Sequence, residues 1–302
     1  MIHTASTTSP SLIEVDGITR EIFFLRGHMR SGTNWACTLL NLHPRICCVG
    51  EHHFERLANE LLAGERPRTI VRQDAQLREA VWDGVREMVR GCMRVHAQRH
   101  PGATMIGDRT PAPITDLLPG ARVIDIVRDG RDVLVSRVFH SIRVDGEGSG
   151  EFASHSAKLG QDPEYFEKQP QELLSDERIV RRFARRWAEV VRESRGFIAR
   201  ADAGEVDASV LQVSYESLHE HTEQERARMY AFLGLDPTEA LPLSTQATPG
   251  YSDGSTQSFY RSGTVGDWKK FFTADASRWF NEEAGDVLVG LGYEKDTHWS
   301  RA

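Results

Sequence analysis

The sequence predicts a three-layer α/β/α fold with a central, mainly parallel sheet. The prediction rests on short apolar runs typical of buried strands, at residues 21–26, 46–49, 104–107, 122–127 and 209–213. Amphipathic helical patterns separate these runs, and alternating strands and helices favour parallel pairing. In such folds the binding sites lie at the carboxyl ends of the strands, so the residues that follow each run are the candidate site residues.

Helices are predicted between and after the strands, at residues 33–43, 53–63, 74–99, 131–143, 177–200, 221–233 and 275–290. We expect a flexible N-terminal tail over residues 1–20 and a single domain over 21–302. Residues 144–175 are rich in Gly, Ser, Glu and Gln, which predicts a lid-like surface insertion. Residues 236–258 carry three prolines and are predicted to be an irregular loop.

Composition excludes several classes of protein. The net charge of −7 argues against general binding of nucleic acid. No apolar run approaches the roughly 18 residues of a membrane span, and Met1–Pro10 lacks the features of a signal peptide. The four cysteines form no Cys-x-x-Cys pair, which argues against a zinc site or a redox pair. Together these features predict a cytoplasmic protein.

The first candidate anion site is the glycine-rich turn between the first strand and the first helix, Arg26 to Trp35. Backbone N–H groups at a helix start lack partners within the helix, and the helix dipole favours negative charge there. Arg30 adds a cation whose donor fork fits phosphate or sulfonate oxygens. Thr33 and Asn34 can cap the helix, and Trp35 either covers a flat ring or fills the core.

This turn differs from the loop that binds nucleoside triphosphates. That loop needs Gly-x-x-x-x-Gly-Lys-Ser/Thr, with the lysine on the β- and γ-phosphates and the hydroxyl on magnesium. Here the cation precedes Ser31-Gly32-Thr33. The sequence therefore disfavours a nucleotide kinase or another phosphotransferase, which stays as an alternative.

Two other stretches have the same chemistry. Arg128 follows a strand, and Ser136 lies eight residues later, about two turns into the next helix. Near the carboxyl terminus, Arg261-Ser262-Gly263 forms another anion-compatible turn, flanked by Phe259 and Trp268. Each stretch alone also has an ordinary structural explanation, as a surface cation or as packing.

Taken together, the three stretches resemble the sulfotransferases that use 3′-phosphoadenosine 5′-phosphosulfate (PAPS), over residues 21–292. The turn from Arg30 to Trp35 resembles the family's 5′-phosphosulfate loop, and Arg128 with Ser136 resembles its 3′-phosphate pair. Tyr215 matches a tyrosine of the same sheet, and residues 259–269 resemble the carboxyl-terminal Arg-x-Gly-x-x-Gly-Asp-Trp-Lys motif. The resemblance implies the sulfotransferase variant of the P-loop NTPase-like fold.

The resemblance also implies how the co-substrate is held. Arg30, with the loop residues Ser31, Gly32, Thr33 and Asn34, would bind the 5′-phosphate and the sulfonate, while Trp35 would stack on adenine. The 3′-phosphate side of the site would consist of Arg128, Ser136, Tyr215, Phe259, Arg261, Ser262 and Gly263. The product would be adenosine 3′,5′-bisphosphate (PAP), and no metal would be needed because the arginines supply the positive charge.

The general base is predicted from a second resemblance. Small-molecule members use a histidine in Lys-Thr-His, but this chain has Arg109-Thr110-Pro111 at that place. The tyrosylprotein and Golgi-type branch has His-Pro followed by Gly-Glu, as in His43-Pro44 and Gly50-Glu51 here. This implies Glu51 as the base and Arg109, with Arg30, as charge stabilisers.

Other interpretations of the base remain. His52 and His53 are the alternative bases, and Glu51 is otherwise an ordinary helix-cap carboxylate. The family's dimer motif is only partly present at residues 269–278, so the sequence predicts no oligomeric state.

The predicted function is transfer of a sulfonate from PAPS to a hydroxyl of a small acceptor such as a secondary metabolite, a lipid or a sugar. A non-catalytic nucleotide-binding protein of the same fold is a further alternative. The acceptor pocket is expected from four stretches, residues 51–60, 108–116, 144–175 and 240–258.

Overall fold

The computed structural model describes residues 9–57, 74–145, 150–243 and 263–301. Its sheet contains strands β1 Leu12–Val15, β2 Ile18–Gly27, β3 Ile46–Gly50, β4 Met105–Arg109, β5 Arg122–Val127 and β6 Ser209–Ser214. The order is β3-β4-β2-β5-β6, with every pair on this path parallel, and β1 pairs antiparallel with the start of β2. The predicted mainly parallel sheet is confirmed.

The helices between the strands also follow the predicted pattern. They are α1 Thr33–Leu40, α2 Ala75–Arg99, α3 Gly130–Asp145, α4 Ala153–Gln161, α5 Tyr165–Lys168, α6 Glu177–Asp202, α7 Tyr215–Glu220, α8 Thr222–Phe232, α9 Trp268–Phe271 and α10 Ala274–Gly290. The helix predicted over 221–233 is therefore preceded by a separate short helix. The helix predicted over 53–63 is seen at residues 54–57, and its remainder lies outside the described residues.

The sheet is covered on both faces, because successive side chains of a strand point to opposite sides. In β2, Ile22 and Phe24 pack in the cluster that contains α2, whereas Phe23 and Leu25 pack in the cluster that contains α1 and α8. A third cluster joins α3, α6 and α10 beside the sheet, with Trp187 fully buried in it. These layers are the predicted three-layer α/β/α architecture.

The predicted flexible tail is wrong for residues 12–20. Ile13 and Val15 are 2% and 5% exposed because β1 forms a hairpin with β2. The two residues between the strands, Asp16 and Gly17, both have positive φ, as a tight two-residue hairpin turn requires. An Asp-Gly pair between apolar alternations is the sequence signal for such a hairpin, and the prediction overlooked it.

The predicted surface lid is wrong for residues 150–175. This segment contains α4, α5 and a 3₁₀ turn at Pro170–Glu172. Phe152, Phe166, Leu173 and Leu174 are buried in the third core cluster. Because their helices are short, these apolar residues show no extended period, which hid them from pattern analysis. Residues 146–149 lie outside the described residues.

Candidate functional site

The candidate site lies along the carboxyl ends of β2 to β6, as the fold class predicts. Arg30 follows β2, Glu51 follows β3, Arg109 ends β4, Arg128 follows β5 and Tyr215 follows β6. Five strand ends thus place the residues predicted from separate motifs along one edge of the sheet.

The turn after β2 approaches its neighbours closely. A Cβ atom on Gly27 would lie 2.4 Å from the carbonyl oxygen of Ile126, and one on Gly32 would lie 2.4 Å from the Tyr215 ring. Arg30 has φ of 73° and Gly32 has φ of 99°, the left-handed region that glycine tolerates best. Gly32 precedes the first residue of α1 and offers no side-chain cap, so the amides there can receive an anion.

The structure brings the three anion-compatible stretches together, and we call this cluster, Arg30, Arg128, Ser136, Tyr215, Gly263 and Thr264, the donor side. Arg30 Nε donates a hydrogen bond to Ser136 Oγ at 3.1 Å. Arg128 donates to the carbonyl oxygen of Arg30 at 3.4 Å and to that of Thr264 at 2.8 Å. Cations and backbone from three distant segments therefore converge.

Tyr215 joins the same cluster. Its hydroxyl donates to the carbonyl oxygen of Gly263 at 2.6 Å, and the Arg128 guanidinium lies 4.1 Å from its ring centroid. Of the predicted turn Arg261-Ser262-Gly263, Gly263 is the residue that the structure describes. The predictions for Phe259, Arg261 and Ser262 lie outside the described residues.

Trp35 has a less open position than an adenine platform requires. Its ring is 3% exposed and packs edge-on against Tyr215 and His219, with ring centroids 5.5 Å and 6.1 Å away. A stacking role needs one face of the ring to be uncovered. The geometry as it stands is that of a core residue, and adenine stacking stays a prediction.

Asp132 and Arg131 hold the carboxyl-terminal segment in addition to forming local ion pairs. Asp132 accepts hydrogen bonds from the backbone N–H groups of Gly266 at 2.7 Å and Trp268 at 2.8 Å. Arg131 is buried, pairs with Asp129 at 2.8 Å, and lies 3.8 Å from the Trp268 ring centroid. These contacts position the residues that complete the donor side.

Glu51 and Arg109 form the second half of the predicted catalytic set. Arg109 Nη1 donates to Glu51 Oε1 at 2.7 Å and also to Asn34 Oδ1. The other Glu51 oxygen lies 3.4 Å from His53 Nε2, and the Glu51 side chain is 36% exposed. Since Asn34 belongs to the first turn of α1, directly after the donor loop, Arg109 links the candidate base to that loop.

A buried polar network lies directly beneath this pair. Asp108 is fully buried and contacts His52 Nδ1 at 2.7 Å and Arg26 at 2.9 Å, and Arg26 pairs with Glu55 at 2.6 Å. Burial pushes the pKa of Asp108 upward, but the His52 hydrogen bond and the Arg26 charge outweigh it and lower that pKa overall. Sequence reasoning missed this network, because Asp108 was considered only as part of the expected acceptor stretch 108–116 and its partners lie far away in the sequence.

His52 is held inside the network. Its Nδ1 contacts Asp108, its Nε2 lies 3.1 Å from His96 Nε2, and its ring stacks on Phe54. With both ring nitrogens engaged, His52 has no nitrogen left to receive a proton from a substrate, in contrast to His53. Of the two alternative bases, the geometry favours His53.

An adjoining cavity of about 250 Å³, which we call the side pocket, opens next to the loop. Its lining residues are His28, Met29, Pro111, Ala112, Pro113, Val133, Leu134, Arg137, Phe183, Arg186 and Val190. Among the described residues of the four stretches expected to form the acceptor pocket, only those of 108–116 contribute to this lining. The contribution of α6 was not predicted, because its inward apolar face was read as core packing.

Two negative findings concern the described residues. They contain no group of three or more His, Cys, Asp or Glu side chains arranged to hold a metal ion. Among the helices that the structure describes, none is long and apolar enough to cross a membrane.

Comparison with known proteins adds structural relatives. Mouse sulfotransferase SULT7A1 complexed with PAP is similar over 93% of this chain and 95% of that chain, with 16% identity and a TM-score of 0.51. Retinol dehydratase in complex with androsterone and inactive cofactor PAP has 17% identity over 93% and 81% of the two chains, with a TM-score of 0.47. The sulfotransferase domain from the curacin biosynthetic pathway has 15% identity over 91% and 98%, with a TM-score of 0.49.

The sequence comparisons give two results. The comparison with curated proteins returns no match. The model of a family described as "Sulfotransferase family" matches residues 23–239, a segment that begins in β2 and includes both the Arg30 loop and the Arg128–Ser136 pair. Since that match spans well over half of the 302 residues, the chain belongs to the sulfotransferase family.

Proposed function

We propose that this sulfotransferase moves the sulfonate of PAPS to a hydroxyl group of a small-molecule acceptor and releases PAP. The observation that carries the proposal is the donor side, where Arg30, Arg128 and Ser136 meet within hydrogen-bond distance although their motifs are far apart in sequence. PAPS carries clustered negative charge, which such a set of guanidiniums and helix amides can bind. The PAP molecule in the mouse sulfotransferase structure supports this choice of co-substrate.

Different parts of the donor side would bind different groups of the co-substrate. The amides at the start of α1 and Arg30 would bind the 5′-phosphosulfate, and Arg128 with Ser136 would bind the 3′-phosphate. Phe259, Arg261 and Ser262 would complete the 3′-phosphate side. Adenine would stack on Trp35 once one face of its buried ring is uncovered. The positive charge comes from arginines, so the proposal includes no metal.

The transfer step is an in-line displacement at sulfur. The acceptor oxygen forms a bond to sulfur, the bond between sulfur and the bridging oxygen breaks, and its electron pair stays on the 5′-phosphate of PAP. Glu51 takes the hydroxyl proton, and Arg30 and Arg109 stabilise the charge on the departing oxygen. Arg109 orients Glu51 through Oε1, which leaves Oε2 for the proton, and exposed His53 lies beside Oε2.

Thermal unfolding with two ligands tests the co-substrate. We expect PAP to raise the melting temperature, because it binds only the folded chain, and ATP–magnesium to have a smaller effect. Turnover is then measured with labelled sulfonate donor and a panel of alcohols. A preference for ATP–magnesium would support the kinase alternative, and PAP binding without any turnover would support the non-catalytic one.

The variant Glu51→Gln tests the base. Loss of a positioned general base typically costs about 10²- to 10⁴-fold in rate, so we expect kcat to fall within that range while the PAP dissociation constant stays unchanged. The matched control is Glu220→Gln, which removes an exposed carboxylate on α7. Near-normal turnover by Glu51→Gln would eliminate Glu51 as the base and direct attention to His53.

A further inference from the structure

The side pocket adjoins the proposed site of transfer. Met29 immediately precedes Arg30, Pro111 lies two residues after Arg109, and both line the pocket. An acceptor bound here would therefore present one end to the residues that hold the sulfonate. The volume of about 250 Å³ is near the lower limit of ordinary ligand pockets, about 300 Å³, so the acceptor is compact.

The walls of the side pocket are mainly apolar, but its charged groups have a single sign. Arg137, on α3 next to Ser136, and Arg186, on α6, are its two charged lining residues. Among the lining residues, all within the described part of the chain, none is acidic. Arg186 is 60% exposed, and its contact with Glu189 is long, at 3.4 Å, so it has donors to offer a ligand.

His28 contributes no positive charge to this pocket. Its Nδ1 donates to the carbonyl oxygen of Met29 at 2.6 Å. The pKa of His28 is lowered to about 4, chiefly by burial and to a smaller extent by the charges of Arg186 and Arg137, while the hydrogen bond to Met29 opposes the shift. The ring is therefore neutral near pH 7, and the two arginines carry the charge of the pocket.

We propose that the acceptor is a compact apolar alcohol that also carries an anionic group, such as a carboxylate. Its apolar body packs on Met29, Pro111 and Leu134, with the hydroxyl towards Arg30 and Arg109. Its anionic group reaches Arg137 and Arg186. This inference rests on the proposed function, because it assigns the acceptor class of the same site.

Binding to the PAP-saturated protein tests the inference without relying on turnover. We expect calorimetry to show octanoate binding about tenfold more tightly than octanamide, the gain of one charge-assisted hydrogen bond. Turnover should follow the same order, with a higher kcat/KM for 8-hydroxyoctanoate than for 8-hydroxyoctanamide.

Charge variants assign that preference to the arginines. Arg186→Gln should reduce the octanoate-to-octanamide ratio several-fold, Arg186→Lys should restore part of it, and Arg137→Gln should also reduce it. The control is Arg192→Gln, which removes the same charge from α6 but pairs with Asp286 away from the pocket, and should leave the ratio unchanged. Since Arg186 is exposed, its variants test the idea even if Arg137→Gln fails to fold.

The outcomes distinguish a failure of the proposed function from a failure of the proposed acceptor class. If PAP itself fails to bind, the proposed function is wrong. If PAP binds but octanamide binds as well as octanoate, the acceptor class is wrong while the proposed function stands. If Arg186→Gln weakens PAP binding and leaves the octanoate-to-octanamide ratio unchanged, Arg186 contributes to binding of the co-substrate and the inference is overturned.

Discussion

The donor side and the side pocket meet at Met29 and Arg30 but are built in different ways. On the donor side, polar groups that follow strand ends bond to groups of other segments, as Arg30 does to Ser136 and Tyr215 to Gly263. The side pocket is lined by apolar residues on helices and a proline-rich loop, with two arginines as its charged groups. Under the proposed function, backbone turns would therefore fix where the phosphates bind, whereas helix faces would select the second substrate.

The largest effect expected on the donor side tests whether that side depends on its cation. Arg30→Gly removes the guanidinium but keeps a residue that accepts a φ of 73°. Removing one preorganised donor to developing charge costs about 10²- to 10³-fold in kcat, and we expect a loss of that size. Single-turnover measurements with labelled donor check it.

The same variant sharpens the contrast with the side pocket. The octanoate-to-octanamide ratio should persist in Arg30→Gly, because neither arginine of the pocket has changed. A lost ratio together with retained kcat would mean that the division between the two sides is wrong.

A smaller effect is expected when one hydrogen bond of the donor side is removed. Tyr215→Phe loses the 2.6 Å bond to Gly263, and a net loss of about 1 kcal/mol would weaken PAP binding about fivefold. Tyr230→Phe is the matched control, because its hydroxyl donates over the same 2.6 Å to the carbonyl oxygen of Leu39 in the core.

Calorimetry with PAP and denaturant unfolding distinguish the two tyrosines. Both variants should lose stability, but only Tyr215→Phe should lose affinity for PAP. Equal PAP affinities in the two variants would show that Tyr215 is a core residue without a part in binding.

The smallest effect is expected from Asp125→Asn, because Asp125 belongs neither to the donor side nor to the side pocket. Burial raises the pKa of Asp125 to about 6, so the folded chain keeps a proton that the unfolded chain releases near pH 4. Stability therefore falls as pH rises from about 4 to about 6, and the amide removes that loss. Gln212 Nε2 donates a hydrogen bond to Asp125 Oδ2 at 2.9 Å, and the side-chain oxygen of Asn can still accept it.

Urea unfolding at two pH values checks this prediction. We expect Asp125→Asn to gain on the order of 1 kcal/mol at pH 7.5 and much less at pH 4.5, with kcat unchanged. A gain of the same size at both pH values would mean that ionisation of Asp125 is not its cause.

Sequence analysis located those features of the candidate site that depend on a local turn. The Arg30 loop, the Arg128–Ser136 pair and the strand that precedes Tyr215 each have a signature within about ten residues, and strand order then brought them together. The same reasoning could not decide whether Trp35 stacks or packs, because both uses need an indole on the first turn of a helix.

What the sequence left open depends on long-range pairing. His52 meets His96, which lies 44 positions further along the chain, and Arg186 reaches the side pocket from a helix whose inner face looked like ordinary core. The first hairpin is different, since its Asp16-Gly17 signal was present and was overlooked. Partners that lie far apart in sequence leave no local pattern from which to infer them.

The bonds from Asp132 to Gly266 and Trp268 have a consequence for how the chain matures during synthesis. They join residues 134 and 136 positions apart. The hydrogen bond from Tyr215 likewise cannot form until Gly263 has been synthesised. All six strands in the described part of the chain leave the ribosome before these partners do, so the sheet can form while the donor side is still incomplete. Under the proposed function, the ability to bind the co-substrate would therefore be acquired late, after the sheet has assembled.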